Sequence, residues 1–248
     1  MFGHQKLRVY EKALQFVSTS DALLRAVPRT VAACDHLCRA SESLPLNIAH
    51  ANSAWSPLER ITYLGHANGS ALECAACLDV LVAKSLLPTG AVLAGKSLLR
   101  EIVNMLVAMK RVTSDRVREE GDAAAATEDG RFFSHERLHV YQVSLSFTGW
   151  VETASGQFSC SADLLAKLDK ASTGVVLNIA EGNGRFSDGD HARFLGIAHK
   201  AAVQSSALLD LATIRSALAQ ERAEEGQVML RRVVAMLIAL ARKVGPYT

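Results

Sequence analysis

The sequence predicts an all-α protein made of two tandem up-and-down four-helix bundles. Three observations carry that prediction: a composition poor in strand formers, an internal repeat, and apolar residues at helical spacing within each copy. Of the 248 residues, 49% are hydrophobic but only 6% are aromatic, and there are five prolines. Ala and Leu dominate, and these lose little entropy in a helix, whereas strands favour β-branched and aromatic residues.

The repeat is ungapped, at an offset of 131 residues. The segment His4-Gln5-Lys6-Leu7-Arg8-Val9-Tyr10 returns as His135-Glu136-Arg137-Leu138-His139-Val140-Tyr141. The same offset pairs Leu46-Asn47-Ile48-Ala49 with Leu177-Asn178-Ile179-Ala180, and Leu64-Gly65 with Leu195-Gly196. It also pairs Gly95 with Gly226, and Met105-Leu106 with Met236-Leu237. A single register kept across separated matches marks a duplicated structural unit.

Each copy reads as four helices. The first begins near His4 or His135, with Leu7, Tyr10, Leu14 and Val17 on one face. The second spans about residues 30–50, and 161–181 in the second copy. The third opens on an N-terminal signal: Ser56 caps, Pro57 takes the first helical position, and Glu59 completes a capping box. Ser187 and Asp190 stand at the corresponding places. The fourth carries Leu98, Ile102, Met105 and Met109, then Met229, Val233, Met236 and Leu240. Short connections between long helices favour antiparallel neighbours. The domains are therefore 1–112 and 135–248, joined by an acidic linker over 113–134 that is poor in apolar residues until Phe132.

The formal net charge of +2 lacks the basic excess typical of a nucleic-acid binder. Residues 1–111 are mildly basic, with 12 Lys/Arg against 8 Asp/Glu. No signal peptide or span of about 20 apolar residues is evident, so a cytoplasmic protein with no membrane partner is expected.

The segment from Ala171 to Ser187, with Asn178-Ile179-Ala180-Glu181-Gly182-Asn183-Gly184-Arg185-Phe186-Ser187 at its end, resembles the signature of a bacterial four-helix-bundle family. That family includes the 23S rRNA intervening-sequence proteins, and the accessory variability determinant of diversity-generating retroelements is related. The first copy keeps Ser43-Leu44-Pro45-Leu46-Asn47-Ile48-Ala49 but carries His50-Ala51 in place of Glu-Gly. The second keeps Glu-Gly but has Val176 in place of Pro. The resemblance implies side-by-side rings of bundles, often five, and for the retroelement accessory a nucleic acid and a reverse transcriptase as partners.

The residues singled out are Asn47, Asn178, Glu181, Gly182 and Arg185. A mid-helix Asn costs helix propensity, so Asn47 and Asn178 are expected to make structural hydrogen bonds. Glu181 and Arg185, four apart, pair if the helix continues through Gly182; Gly182 and Gly184 are expected to end it in an interhelix turn. The run Gly182–Arg185 before a helix start could also hold a phosphate. Gly65 and Gly196, inside the third helix, suggest close approach of another helix or subunit.

Of the five cysteines, Cys34, Cys38, Cys74 and Cys77 could be brought to one height on antiparallel helices, where four thiolates would suit zinc. Cys34 and Cys77, however, match Leu165 and Leu208, which favours ordinary core thiols and no metal. Arg185 and His191 are spaced like the Arg–His pair of some helical ribonucleases, but the first copy lacks the pair. No other catalytic set appears, and no cofactor is expected. The leading expectation is a non-enzymatic, homo-oligomeric scaffold or adaptor that associates through helix faces. Its rivals are a nucleic-acid-binding accessory protein and a ribonuclease. Chains contributing two bundles each close into rings of even bundle number, three chains and six bundles being the expected case.

Overall fold

A computed structural model of the chain describes residues 3–28, 30–115, 132–158 and 162–244. Among the described residues there are eight α-helices and no strand: α1 Arg8–Leu24, α2 Ala32–Ser53, α3 Pro57–Ala83, α4 Thr89–Asp115, α5 His139–Ser155, α6 Ala162–Asn183, α7 Asp188–Ile214 and α8 Gln220–Val244. Each group of four closes on itself. α1 packs on α2, α2 on α3, α3 on α4 and α4 back on α1, and α5 to α8 repeat the arrangement.

The helix starts follow local chemistry. Ser56 Oγ accepts from Glu59 N at 3.1 Å, and Glu59 Oε2 accepts from Trp55 N at 3.0 Å. Ser187 Oγ accepts from Asp190 N at 3.1 Å. These bonds satisfy N–H groups that have no partner inside the helix. Both third helices stop in the same way, with Ser85 and Ser216 in the left-handed region at φ 58° and 53°. Leu86 N then reaches back to Leu81 O at 2.9 Å, and Ala217 N to Ala212 O at 2.8 Å, closing the last turn.

Two expected boundaries shift. The first helix of each copy does not begin at the shared His. Gly3–Lys6 and Ser134–Arg137 form 3-10 turns, and the α-helix starts only after Leu7 and Leu138, whose backbones are extended. A single apolar periodicity cannot distinguish a 3-10 turn leading into a helix from the helix itself. At the linker, α4 runs on to Asp115, and Phe132 and Phe133 already belong to the folded body. The acidic part of the linker, residues 116–131, lies outside the described residues, as does Cys160.

Each bundle has an apolar interior, and the two interiors merge. Buried residues of α3, α5 and α6 belong to one continuous cluster. The bundles meet where α3 packs against α6 and α5, with α2 touching α6. α3 is consequently covered on two sides: 15 of its 27 residues are buried, against nine in α7, its 27-residue counterpart. Its run of small residues, Gly65, Ala67, Gly69, Ala71, Ala75 and Ala76, lets helices approach on both flanks.

Candidate functional site: the joint between the bundles

The signature residues stand at this joint or beside it. α6 continues through the buried Gly182 and ends at Asn183, so of the two glycines expected to end it only Gly184 lies beyond its last turn. Arg185 and Glu181 therefore face each other as an ion pair, and the Arg185 guanidinium lies 4.6 Å from the Phe194 ring centre. Burial, reinforced by Glu73, pushes the Glu181 carboxyl above its usual range. Just beyond the helix, Gly184 meets α3. A Cβ on Gly184 would lie 2.7 Å from Leu72 Cδ1 and 3.3 Å from Gly69 Cα. Asn68 Nδ2 donates to Gly184 O at 2.7 Å, the Arg185 guanidinium covers Gly69, and Phe186 covers Gly65. Lys110 Nζ sits 4.0 Å from the Phe186 ring centre. The glycines of the signature thus serve close approach.

Asn47 and Asn178 do local structural work. Asn47 Nδ2 donates to Ser43 O at 2.9 Å and to Ser43 Oγ at 3.0 Å, and Ser43 Oγ in turn contacts Ser70 Oγ on α3 at 2.9 Å. Asn178 Nδ2 donates to Gly174 O at 2.7 Å.

Two lysines of the first bundle pair with carboxylates of the second, Lys96 sharing its site with Asp79 of the first. The Lys84 side chain, 1% exposed, places Nζ 2.5 Å from Asp169 Oδ1 and 3.2 Å from Glu152 Oε2. The other oxygen of Asp169 accepts from Ala32 N at 3.2 Å. Lys96 Nζ lies 2.7 Å from Asp79 Oδ1 and pairs with Glu136, while Tyr141 donates its hydroxyl to Asp79 Oδ2 at 2.9 Å. Burial raises the Asp79 carboxyl. For Lys96, burial pulls the ammonium down, but Asp79 and Glu136 outweigh it and keep the group charged. Beside them His135 is fully buried, stacked on Phe133 and edge-on to Tyr141, with neither ring nitrogen hydrogen-bonded. Burial holds it neutral, with a pKa lowered to about 3. Sequence reasoning missed these lysines: Lys84 matches Arg215 and Lys96 matches Gln227, so nothing in the repeat marked them.

The joint is also tight sterically. A Cβ on Gly149 of α5 would stand 2.7 Å from Ala83 O of α3. Glycine is what allows these two helices to touch here.

The sites considered for metal and catalysis look different in three dimensions. Cys34, Cys74 and Cys77 are buried and Cys38 is half-buried. Burial, with Glu73 nearby, raises the Cys74 and Cys77 thiols well above their usual range, which opposes the thiolate that zinc requires. Among the described residues, the group able to converge on a cation is instead Asp79, His135 and Glu136, and the Lys96 ammonium lies against both of its carboxylates. A cavity of about 240 Å³ gathers His66, Lys110, Arg185 and Asp190, without His191. Burial, then Arg185, lowers the His66 pKa. No described helix is long and apolar enough to cross a membrane.

The family model described as 23S rRNA-intervening sequence protein matches the chain twice, over residues 5–108 and 136–239. No curated protein gives a significant match. No solved structure does either.

Proposed function

Because the chain belongs to the 23S rRNA-intervening sequence protein family, as a tandem duplication of its bundle, we propose that it is a non-enzymatic scaffold or adaptor that assembles with itself through helix faces. One observation carries this reading. The signature residues Gly184 and Arg185 and the adjoining Phe186 are spent on holding bundle against bundle, while Gly182 lets α6 approach α7 within the second bundle. A family feature used to join bundles within a chain is suited to joining them between chains. The assembly we favour is a closed homo-oligomer with an even number of bundles, three chains giving six. Closed symmetry is the usual outcome, since open head-to-tail contacts grow into filaments.

Light scattering at micromolar concentration tests this. A mass near three times 26.6 kDa is expected, and a mass of 26.6 kDa would refute self-assembly.

A second reading, a nucleic-acid-binding accessory protein acting with a reverse transcriptase, draws on the basic excess of residues 1–111. It requires an affinity for RNA or DNA that falls steeply with salt, because cations released from phosphates drive such binding. Fluorescence anisotropy at rising salt measures it. The ribonuclease reading is weaker, because Arg185 is engaged by Glu181 and the cavity it lines with His66 and Lys110 does not include His191 in its lining. Any cleavage of RNA that is lost in His191→Ala would restore it. Neither reading calls for a cofactor or a membrane. A cytoplasmic location belongs to the same proposal.

A further inference from the structure

The joint inside the chain is heterologous. Copy 1 contributes chiefly the outer stripe of α3, with the start of α2 and Lys96 of α4 beside it, and copy 2 contributes the Ser134–Arg137 turn, α5, α6 and the turn after α6. Each copy, however, contains both halves. Copy 2 therefore carries an unused version of the α3 stripe on α7, and copy 1 an unused version of the α5–α6 surface on α1 and α2.

Both unused surfaces are bare. On α7, Val203 is 49% exposed and Leu211 41%, where their counterparts Leu72 and Val80 are 4% and 0% exposed. Ile214, opposite Ala83 in the repeat, is 79% exposed. On the other surface Leu46 is 59% exposed, whereas its counterpart Leu177 is 2% exposed. Trp55 occupies the place of Phe186 and is 99% exposed.

Both halves keep part of the geometry of the joint already made, although Ser18 and Ser53 stand where Gly149 and Gly184 allow closest approach, so this contact is wider there. His4 sits edge-on to Tyr10 with ring centres 4.8 Å apart at 67°, and His135 to Tyr141 at 4.8 Å and 68°. Asp210 is held through Oδ1 by Gln227 at 2.8 Å, as Asp79 is held through Oδ1 by Lys96 at 2.7 Å. In the existing joint Tyr141 closes the set by donating to the other oxygen of Asp79.

The differences between copies are paired across the two surfaces. Lys96 faces Glu136, and their counterparts are Gln227 and Gln5, so a charge pair becomes an amide pair. Lys84 faces Glu152, and their counterparts are Arg215 and Asp21, which keep the opposite signs. Arg185 covers Gly69, and their counterparts are Ala54 and Lys200, so the long cation passes to the other side. In these three pairs the change on one surface matches the change on the other; Asp169, the nearer partner of Lys84, becomes Cys38, so Asp21 alone supplies the negative charge there.

The geometry points to a second copy of this chain as the occupant of the α7 stripe, seated by its α1, α2 and the turn carrying Trp55. Tyr10 of one chain donates to Asp210 of the next, and Asp21 pairs with Arg215. This rests on the self-assembly proposed above and specifies its surfaces: every contact between chains is head to tail, and α4 lies outside it.

The test is the mass of purified full-length variants by light scattering, with circular dichroism to establish folding. Wild type is expected at a multiple of 26.6 kDa. Ile214→Glu and Asp21→Arg should each reduce it to the single-chain mass with helicity unchanged. Combining Asp21→Arg with Arg215→Asp should restore the multiple. Leu93→Glu, at an exposed position on α4, should leave the mass unaltered. If Ile214→Glu and Asp21→Arg both stay assembled, these surfaces are wrong while self-assembly stands. If wild type is itself a single chain, both fall.

Discussion

Replacing Lys84 with Ala should weaken the chain at the joint more than at any one helix. Lys84 Nζ is the cation between Asp169 and Glu152, on a side chain that is 1% exposed, while the two carboxylates remain 18% and 41% exposed. Removing one partner of a fully buried ion pair costs about 3–5 kcal/mol, because the remaining charge is stranded. Here the stranded carboxylates can take up water, and Asp169 keeps its bond from Ala32 N, so the low end applies, about 3 kcal/mol. For a chain of this size that amounts to a fall in Tm of about 6–12 °C. Urea titration followed by circular dichroism measures the loss, and the double change with Asp169→Asn should recover part of it, because the pair is then removed together. The wild-type chain should melt in one transition, as its merged core requires, and Lys84→Ala should broaden or split it. A loss below about 1 kcal/mol, the range of a surface pair, would refute the view that Lys84 ties the bundles together.

Three further outcomes follow from the same geometry. His135 is neutral in the fold with a pKa of about 3, but its unfolded value is the ordinary 6.5, so the unfolded chain binds the extra proton between those limits. Stability should therefore fall as pH drops below about 6.5, by about 1.4 kcal/mol per pH unit from this residue, and His135→Phe should flatten the slope between pH 6.5 and 5 in urea titrations. Gly184→Ala drives a methyl to 2.7 Å from Leu72 and should cost about 1–3 kcal/mol, whereas Gly90→Ala, with nothing within 4 Å, should be neutral or stabilising by up to about 1 kcal/mol, both read by thermal melts. Asn178→Ala should cost about 1 kcal/mol, the worth of its bond to Gly174 O, and leave the mass in solution unaltered; a change in assembly would give Asn178 a contact role instead.

The bundles were legible in the sequence because the features that make them are repeated. The offset of 131 aligned the caps Ser56 and Ser187 and the apolar stripes of both copies, and helix spacing did the rest. The 3-10 turns were not legible, since Leu7 and Leu138 keep the apolar rhythm while their backbones are extended. The structural bonds of Asn47 and Asn178 followed from the cost of an amide inside a helix. The joint was hidden for the opposite reason. Lys84, Lys96, Gly149 and Glu136 have no identical counterpart, and a search for repetition passes over residues that differ. Arg185 was singled out, but Gly69, which it covers, and Gly65, which Phe186 covers, come from more than a hundred residues away, and no local pattern records that distance.

The double covering of α3 makes the two halves unequal in how they can drift. In α3 a substitution on either flank meets a neighbour, because both flanks are occupied. In α7 the outer flank is open within a single chain. A mutational scan selected for folding alone would tolerate charge along the outer α7 flank and reject it along α3. A scan selected for the working protein would erase that contrast if α7 is covered by another chain. The duplicated gene thus carries its own internal control, in which one copy reports the demands of folding and the other the demands of company.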